Sequence, residues 1–326
     1  MIAYIIRRCL YAIPIILGVN IIIFFLFFYI NSPDDMARKI LGEKNITQEA
    51  IDRWKKEHNY HLPLFINGQE NGVSKLSQTI FFQKSIGLLW FDFGTSDRNN
   101  IDIGYQMKRR IMPSLLIAIP TFLLGIMVEV TFAMLLAYFR QTYVDYSGVI
   151  LCVVMMSVSS LFYIIGGQYL FGKVLKLFPI SGYDTGLQAL KFVSLPVLIG
   201  IIAAIGGNVR FDRTIFLEEI TKDYIRTARS KGLPEEIVLF KHCLKNALIP
   251  ILTTVVMTIP FLFMGSLLME SFFAIPGLGS FTIDAIQAQD FAIVRAMVYL
   301  GSILYIAGLI LTDISYTWVD PRIRLE

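Results

Sequence analysis

Six stretches of this chain are free of Asp, Glu, Lys and Arg while remaining almost wholly apolar: 9–33, 111–128, 146–172, 192–209, 246–269 and 296–312. Crossing a bilayer takes about 20 mostly apolar residues of helix. The pattern therefore predicts an all-α integral membrane protein with six transmembrane helices, the second continuing past Glu129 to about Phe139. Overall the chain is 55% hydrophobic and 17% charged. Clustered as they are, those apolar residues exclude an ordinary soluble domain.

The net charge of +4 is read by where it falls rather than as a sign of nucleic acid binding. Arg7, Arg8, Arg140, Arg322, Arg324 and the basic residues of a loop near 210–247 lie on one side of the six helices, with only Lys173, Lys176, Lys191 and Arg295 in the short segments of the other. Short positively charged loops stay inside, which predicts cytoplasmic termini and a cytoplasmic central loop. Residues 31–110 are also rich in Lys and Arg, including Lys108, Arg109 and Arg110, but loops beyond ~60 residues escape that rule.

Three regions follow: 1–30, a short cytoplasmic tail and the first span; 31–110, an external soluble subdomain of helices and loops; and 111–326, a five-helix core. The Arg7–Arg8 pair before the first apolar run resembles a signal peptide only superficially. The run exceeds an h-region of 7–15 residues and no small-residue cleavage site follows, so it is kept as a retained span. Thr47 to His58 reads as an N-capped helix. His58 and His61 lie close in sequence but lack a third ligand, which favours solvated histidines over a metal site. Cys9, Cys152 and Cys243 form no disulfide pattern.

Within the spans, Glu129 interrupts an apolar run near mid-membrane, where a charge costs roughly 2.5–3.5 kcal/mol. Two readings fit it: a carboxyl facing a water-filled path, and a hydrogen-bonded structural carboxyl. GQYLFGKV (167–174) narrowly misses the phosphate-binding loop, because Val174 replaces the magnesium-binding hydroxyl and no strand precedes it. Ala203 and Gly207 have the small-xxx-small spacing that lets helices approach. Pro276, Gly277 and Gly279 break the helix near the membrane surface, either as a loop or lining a cavity. HExxH, GxSxG and paired intramembrane aspartates are missing from the sequence, which disfavours a membrane enzyme. The lack of an internal repeat disfavours a secondary transporter.

The longest polar interruption in the second half, Glu218 to Pro250, reads as helix, turn and helix. Phe216, Ile220, Tyr224 and Ala228 share one face of the first helix, with Ile215 and Ile225 off that stripe. Glu218 and Lys222 have ion-pair spacing, worth only ~0.3–0.5 kcal/mol. Gly232 suits a left-handed helix end, Pro234 a first turn, and Glu235 and Glu236 the positive end of the next helix. Physics alone also allows this elbow to lie on lipid headgroups.

The form DYIRTARSKGL…H.L.NALIP resembles the EAA loop of permease subunits of ATP-binding-cassette (ABC) importers, in the variant of the peptide-permease branch. Arg226 and Thr227 stand where Glu and Ala are usual, and Lys245 where a proline is usual, departures that the peptide branch shares. WFDFGTS (90–96), the segment 269–298 and the tail around Asp320, Pro321 and Arg322 continue the resemblance over nearly the whole chain. It implies a type I importer with a MetI-like core in a bacterial inner membrane, moving peptides, or nickel or another small solute, delivered by an external binding protein. It implies a second homologous permease subunit and two cytoplasmic ATPase subunits, which bind ATP and magnesium while this chain binds no cofactor or metal. The ATPase-coupling residues implied are Arg226, Thr227, Ala228, Arg229, Gly232, Leu233, Pro234, Glu235, Glu236, Val238, Leu239, His242 and Asn246, with the helix beginning at Pro234 making the contact.

Overall fold

The computed structural model describes residues 2–42, 46–68, 70, 72 and 74–319. The tail around Asp320, Pro321 and Arg322, and Arg324, lies outside the described residues. Five helical segments are long and apolar enough to cross a membrane: Ile6–Ile30, Ile103–Tyr138, Gly186–Ile220, Glu235–Phe272 and Phe291–Ser315. A sixth crossing results if the pair Tyr143–Ser157 and Ser160–Val174, bent by 91°, is taken as one broken span. In chain order these are spans one to six. Among the described residues no strand forms, only an isolated bridge between Thr95 and Asp102.

The break in span three departs from the uninterrupted helix expected over 146–172. Neither proline nor glycine sits there; instead Val158 adopts an extended backbone (φ −89°, ψ 128°) between two serines. Carbonyls freed at a helix end need donors. The Tyr163 hydroxyl donates to Met155 O (2.7 Å) and Ser157 Oγ to Val153 O (2.7 Å).

Span two packs most extensively on span four, which in turn packs on the first half of span three. The close approach uses Gly206, not the expected Gly207. A Cβ on Gly206 would lie 2.7 Å from Cys152 O and 2.8 Å from Met156 N, whereas Gly207 faces open space. Gly206→Leu is expected to wedge spans three and four apart and lower stability by ~1–3 kcal/mol. Gly207→Leu should leave the unfolding midpoint of the detergent-solubilised protein unchanged.

The described residues of 31–102 share their core with the spans. Met36 and Ala37 of the helix Pro33–Leu41, and Ile51 and Trp54 of Gln48–Glu57, join one buried cluster with Phe24, Phe27 and Phe28 of span one and Ala292, Ala296 and Tyr299 of span six. Span two begins at Ile103, so Lys108, Arg109 and Arg110 ride on its helix. Thr47 occupies the N-cap position, but its side chain makes no capping bond. His58 stacks on Trp54 with ring centroids 4.6 Å apart and its Nδ1 pairs with Trp54 O at 3.0 Å, a packing role.

Two buried carboxylates fasten this region to span six. Asp97 accepts from the Tyr60 hydroxyl (2.8 Å) and the Ala292 amide (3.0 Å). Asp290 accepts from Ser96 Oγ and from the amides of Asp97 and Ile293, both at 3.3 Å. Both negative charges thus sit at the N-terminus of the helix Phe291–Val319, where its dipole favours them. Burial pushes the Asp97 carboxyl above the usual carboxylate range, with Arg295 and the Tyr60 hydroxyl pulling it back. At the opposite end of the bundle, Arg8 of span one pairs with Asp313 of span six. With the bent pair counted as one span, six crossings put the start of span one, the elbow and the end of span six on one side, and residues 31–102 and 273–290 on the other.

Candidate functional site

Span four does not stop with its apolar run at 209 but continues as helix to Ile220, carrying Arg210, Asp212 and Arg213. It ends at Thr221, and Lys222 is extended (φ −72°, ψ 153°) before a separate helix, Asp223–Ser230. That break resets the helical phase. Ile225, expected off the apolar stripe, is fully buried, while Tyr224 is only half-buried. For the same reason Lys222 pairs with Glu219 rather than Glu218. The Tyr224 hydroxyl donates to the other Glu219 oxygen.

Gly232 turns the chain with φ +74°, the left-handed region that favours glycine. Its amide donates to Arg229 O (2.9 Å), and on the far side Ile237 N and Val238 N donate to Pro234 O (2.9 and 3.1 Å). Arg229 spans the turn with a two-pronged grip on Glu235, Nε to Oε2 at 3.0 Å and Nη2 to Oε1. Below the turn, Arg213 of span four holds Asp145 of span three through two bonds of 2.7 and 2.8 Å. The second arm, Glu235–Ile237, runs through a π-helical turn, Val238–Cys243, into the helix Leu244–Thr258, so it is the start of span five.

Burial sorts the thirteen candidate elbow residues. Arg226, Thr227, Arg229, Gly232, Pro234 and Glu236 are exposed, and Leu233, Glu235, His242 and Asn246 are half-buried. Ala228, Val238 and Leu239 are buried with Phe216, Ile220 and Ile225 against Met134 and Ala137 of span two. These three hold the elbow to the bundle.

Spans two, four and five enclose a cavity of about 620 Å³. Its walls are mainly apolar, among them Ile117, Phe122, Ile126, Val255 and Leu262, with three carboxylate or amide side chains, Glu129, Asn208 and Asp212, and a few Ser and Thr hydroxyls as polar exceptions. Glu129 is 8% exposed and accepts from Asn208 Nδ2 at 2.8 Å. It is both hydrogen-bonded and cavity-lining, so the two readings of this residue coincide. It also sits nearer the elbow than the middle of its helix, nine residues before Tyr138, about 14 Å along the axis.

The third feature is an anchor at the other end of the cavity. Glu270 is fully buried and accepts from the amides of Ser266 (3.1 Å) and Ser280 (3.0 Å), and from the Ser114 hydroxyl. Ser114 Oγ in turn accepts from Leu278 N (2.8 Å). Gly265 and Gly277 crowd the carboxylate so closely that a Cβ on either would strike it. The segment 273–290, with its helix Leu278–Gln287, therefore folds back into the protein instead of looping over its surface.

Sequence reasoning missed three of these residues. Glu270 stands one position past the uncharged run 246–269, a signal overlooked because a charge at a run's end reads as its boundary. Asn208 and Asp212 lie one helical turn apart, but Asp212 falls past the end of the uncharged run 192–209 and so reads as part of the loop. GQYLFGKV forms a π-helical turn, Gln168–Val174, whose Gln168 side chain donates to Ile180 O and Phe272 O (both 3.0 Å).

A polytopic helical bundle with a solute-sized cavity and a folded charged elbow is an architecture that a membrane permease can use. The model of the family described as binding-protein-dependent transport system inner membrane component matches residues 109–325, and the chain belongs to that family. It is 33% identical over 331 residues to a Brucella abortus (strain 2308) protein whose name assigns it provisionally as a peptide transport system permease, covering 100% of both chains. It is 29% identical over 332 residues to the oligopeptide transport system permease protein AppB of Bacillus subtilis (strain 168), covering 99% of this chain and 100% of that one. The dipeptide transport system permease protein DppB of the same organism is 29% identical over 288 residues, 87% of this chain and 88% of the relative. The chain is thus the permease component of an ABC importer with the type I fold, an inner-membrane protein whose systems include ATPase and substrate-binding partners.

Proposed function

We propose that this chain forms half of the translocation pathway of an ATP-driven importer of di- or oligopeptides, beside a second homologous permease. The substrate class rests on full-length similarity to proteins named for oligopeptide and dipeptide transport. The elbow and both termini face the cytoplasm, as the clustering of Arg210, Arg213, Arg226, Arg229 and Lys231 on that side favours. The external binding protein then delivers its cargo on the side of residues 31–102. ATP and magnesium belong to two partner ATPases, and this chain is non-catalytic with no cofactor of its own.

The observation that carries the coupling role is the elbow's division into a buried and an exposed row. Ile225, Ala228, Val238 and Leu239 lock it to spans two and four, while Arg226, Thr227, Lys231 and Glu236 are exposed on the outer face, Arg226 paired there with Asp223. The docking surface proposed is therefore the outer face of both arms rather than the helix after Pro234 alone. ATPase closure pushes on a rigid lever joined to the ends of spans four and five, two of the three walls of the cavity.

Reconstitution tests this reading. Proteoliposomes holding both permeases, the ATPases and the binding protein are expected to accumulate di- or oligopeptide only with ATP, and the single chain to accumulate none. Uptake by this chain alone would make it a stand-alone transporter; accumulation of nickel and not peptide would correct the cargo.

A further inference from the structure

The elbow half of the cavity contains a feature that transport of a neutral solute does not require. Asp212 is only 6% exposed and lines the cavity, and among the described residues no hydrogen bond or ion pair engages its carboxylate. Burying an isolated carboxylate is costly unless it takes up a proton or something of opposite charge visits it. The nearby cations are directed elsewhere. Arg213, next in sequence, is held by both oxygens of Asp145, and Arg210 is turned towards Met156 Sδ (3.1 Å) on span three. Across the cavity stands Glu129, close enough for its charge to act on Asp212, with Oε1 fixed by Asn208. Asn208 and Asp212 lie one turn apart on span four, so the three polar groups face one spot in a mainly apolar wall.

We infer that Asp212 and Glu129 form a subsite for a primary ammonium group, the α-amine of a peptide or a lysine side chain, on the elbow side of the cavity. An ammonium offers three donors to two carboxylates, while the apolar wall accommodates the rest of the solute. The inference rests on the cavity being the solute path proposed above, yet binding at the subsite is measurable without transport.

The probe is dansylcadaverine, a fluorescent primary amine, titrated into the purified chain in detergent, with its N-acetyl derivative as the neutral control. The amine is expected to bind at least fivefold more tightly than the control. Asp212→Asn and Glu129→Gln should abolish that preference, and Asp212→Glu, which keeps the charge, should retain it. Equal binding of amine and control, or an unchanged preference in Asp212→Asn, would overturn the proposal. So would displacement of the probe by magnesium or nickel ions but not by methylammonium, which would make this a divalent-cation site. Unfolding midpoints within a few degrees of wild type confirm that the variants fold. Peptide uptake by the assembled importer, with free against N-acetylated termini, then reports separately on the transport reading: lost uptake with intact probe preference refutes transport, not the subsite.

Discussion

Glu270→Ala is expected to lower the stability of the detergent-solubilised chain by roughly 3–5 kcal/mol. The carboxylate is fully buried and is the common acceptor for the Ser266 and Ser280 amides and the Ser114 hydroxyl. Alanine would orphan all three donors at once, each costing about 1–3 kcal/mol where water cannot replace the acceptor. Glu270→Gln should cost less, since one acceptor oxygen survives. Because a Cβ on Gly277 would strike the Glu270 carboxylate and the Ser114 hydroxyl, Gly277→Ala should destabilise the wild type strongly and the Glu270→Ala protein much less. Coupling of this kind is what residues sharing one contact show. Tryptophan fluorescence during denaturant unfolding reads all four proteins, and a loss below about 1 kcal/mol in Glu270→Ala would show that the anchor does not hold the segment 273–290.

Why Glu270 escaped the sequence reading while the spans did not is a matter of range. Apolar runs are a local signal, and five of the six expected spans appear as continuous helical segments because lipid leaves the backbone no alternative to internal hydrogen bonding. The turn at Gly232 was legible for a similar reason: glycine takes that backbone more readily than any other residue. The break of span three was not, since Ser157 and Ser159 only permit an interruption, and its geometry depends on Tyr163 reaching back to Met155. Likewise Gly206 and Gly207 are indistinguishable in sequence, and only the rotation of span four against span three selects one.

The candidate site divides along the same line. That the elbow is charged, helical and hinged at a glycine could be read from residues 218–250. Which side chains it exposes could not, because the helix break at Thr221–Lys222 shifts the phase and brings Ile225 inward. The polar cluster in the cavity joins Glu129 on span two to Asn208 and Asp212 on span four, residues about eighty positions apart. Spacing within one helix suggests that Asn208 and Asp212 share a face; it says nothing of what stands opposite. Fastening of residues 31–102 to span six through Asp97 and Asp290 is long-range in the same sense.

Gly232→Val is expected to abolish ATP-dependent uptake while leaving the bundle folded. Valine at φ +74° adopts a left-handed backbone at a cost of about 1–2 kcal/mol, more easily relieved by reopening the turn than by disturbing the spans. No atom stands within 4 Å of the position a Cβ would take, so steric damage to the core is not the cause. Reopening the turn separates Arg229 from Glu235 and releases Asp223–Ser230 from its place against Val238 and Leu239, so the exposed row loses its fixed direction. A push from the ATPases would then move a hinge instead of a lever. Membrane insertion and the unfolding midpoint of the bundle should stay close to wild type, ATP hydrolysis should continue, and transport should fall by tenfold or more. Gly232→Asn, which tolerates the left-handed region better, should recover part of the uptake. Full uptake by the valine variant with the ATPases still bound would mean that coupling runs through another contact.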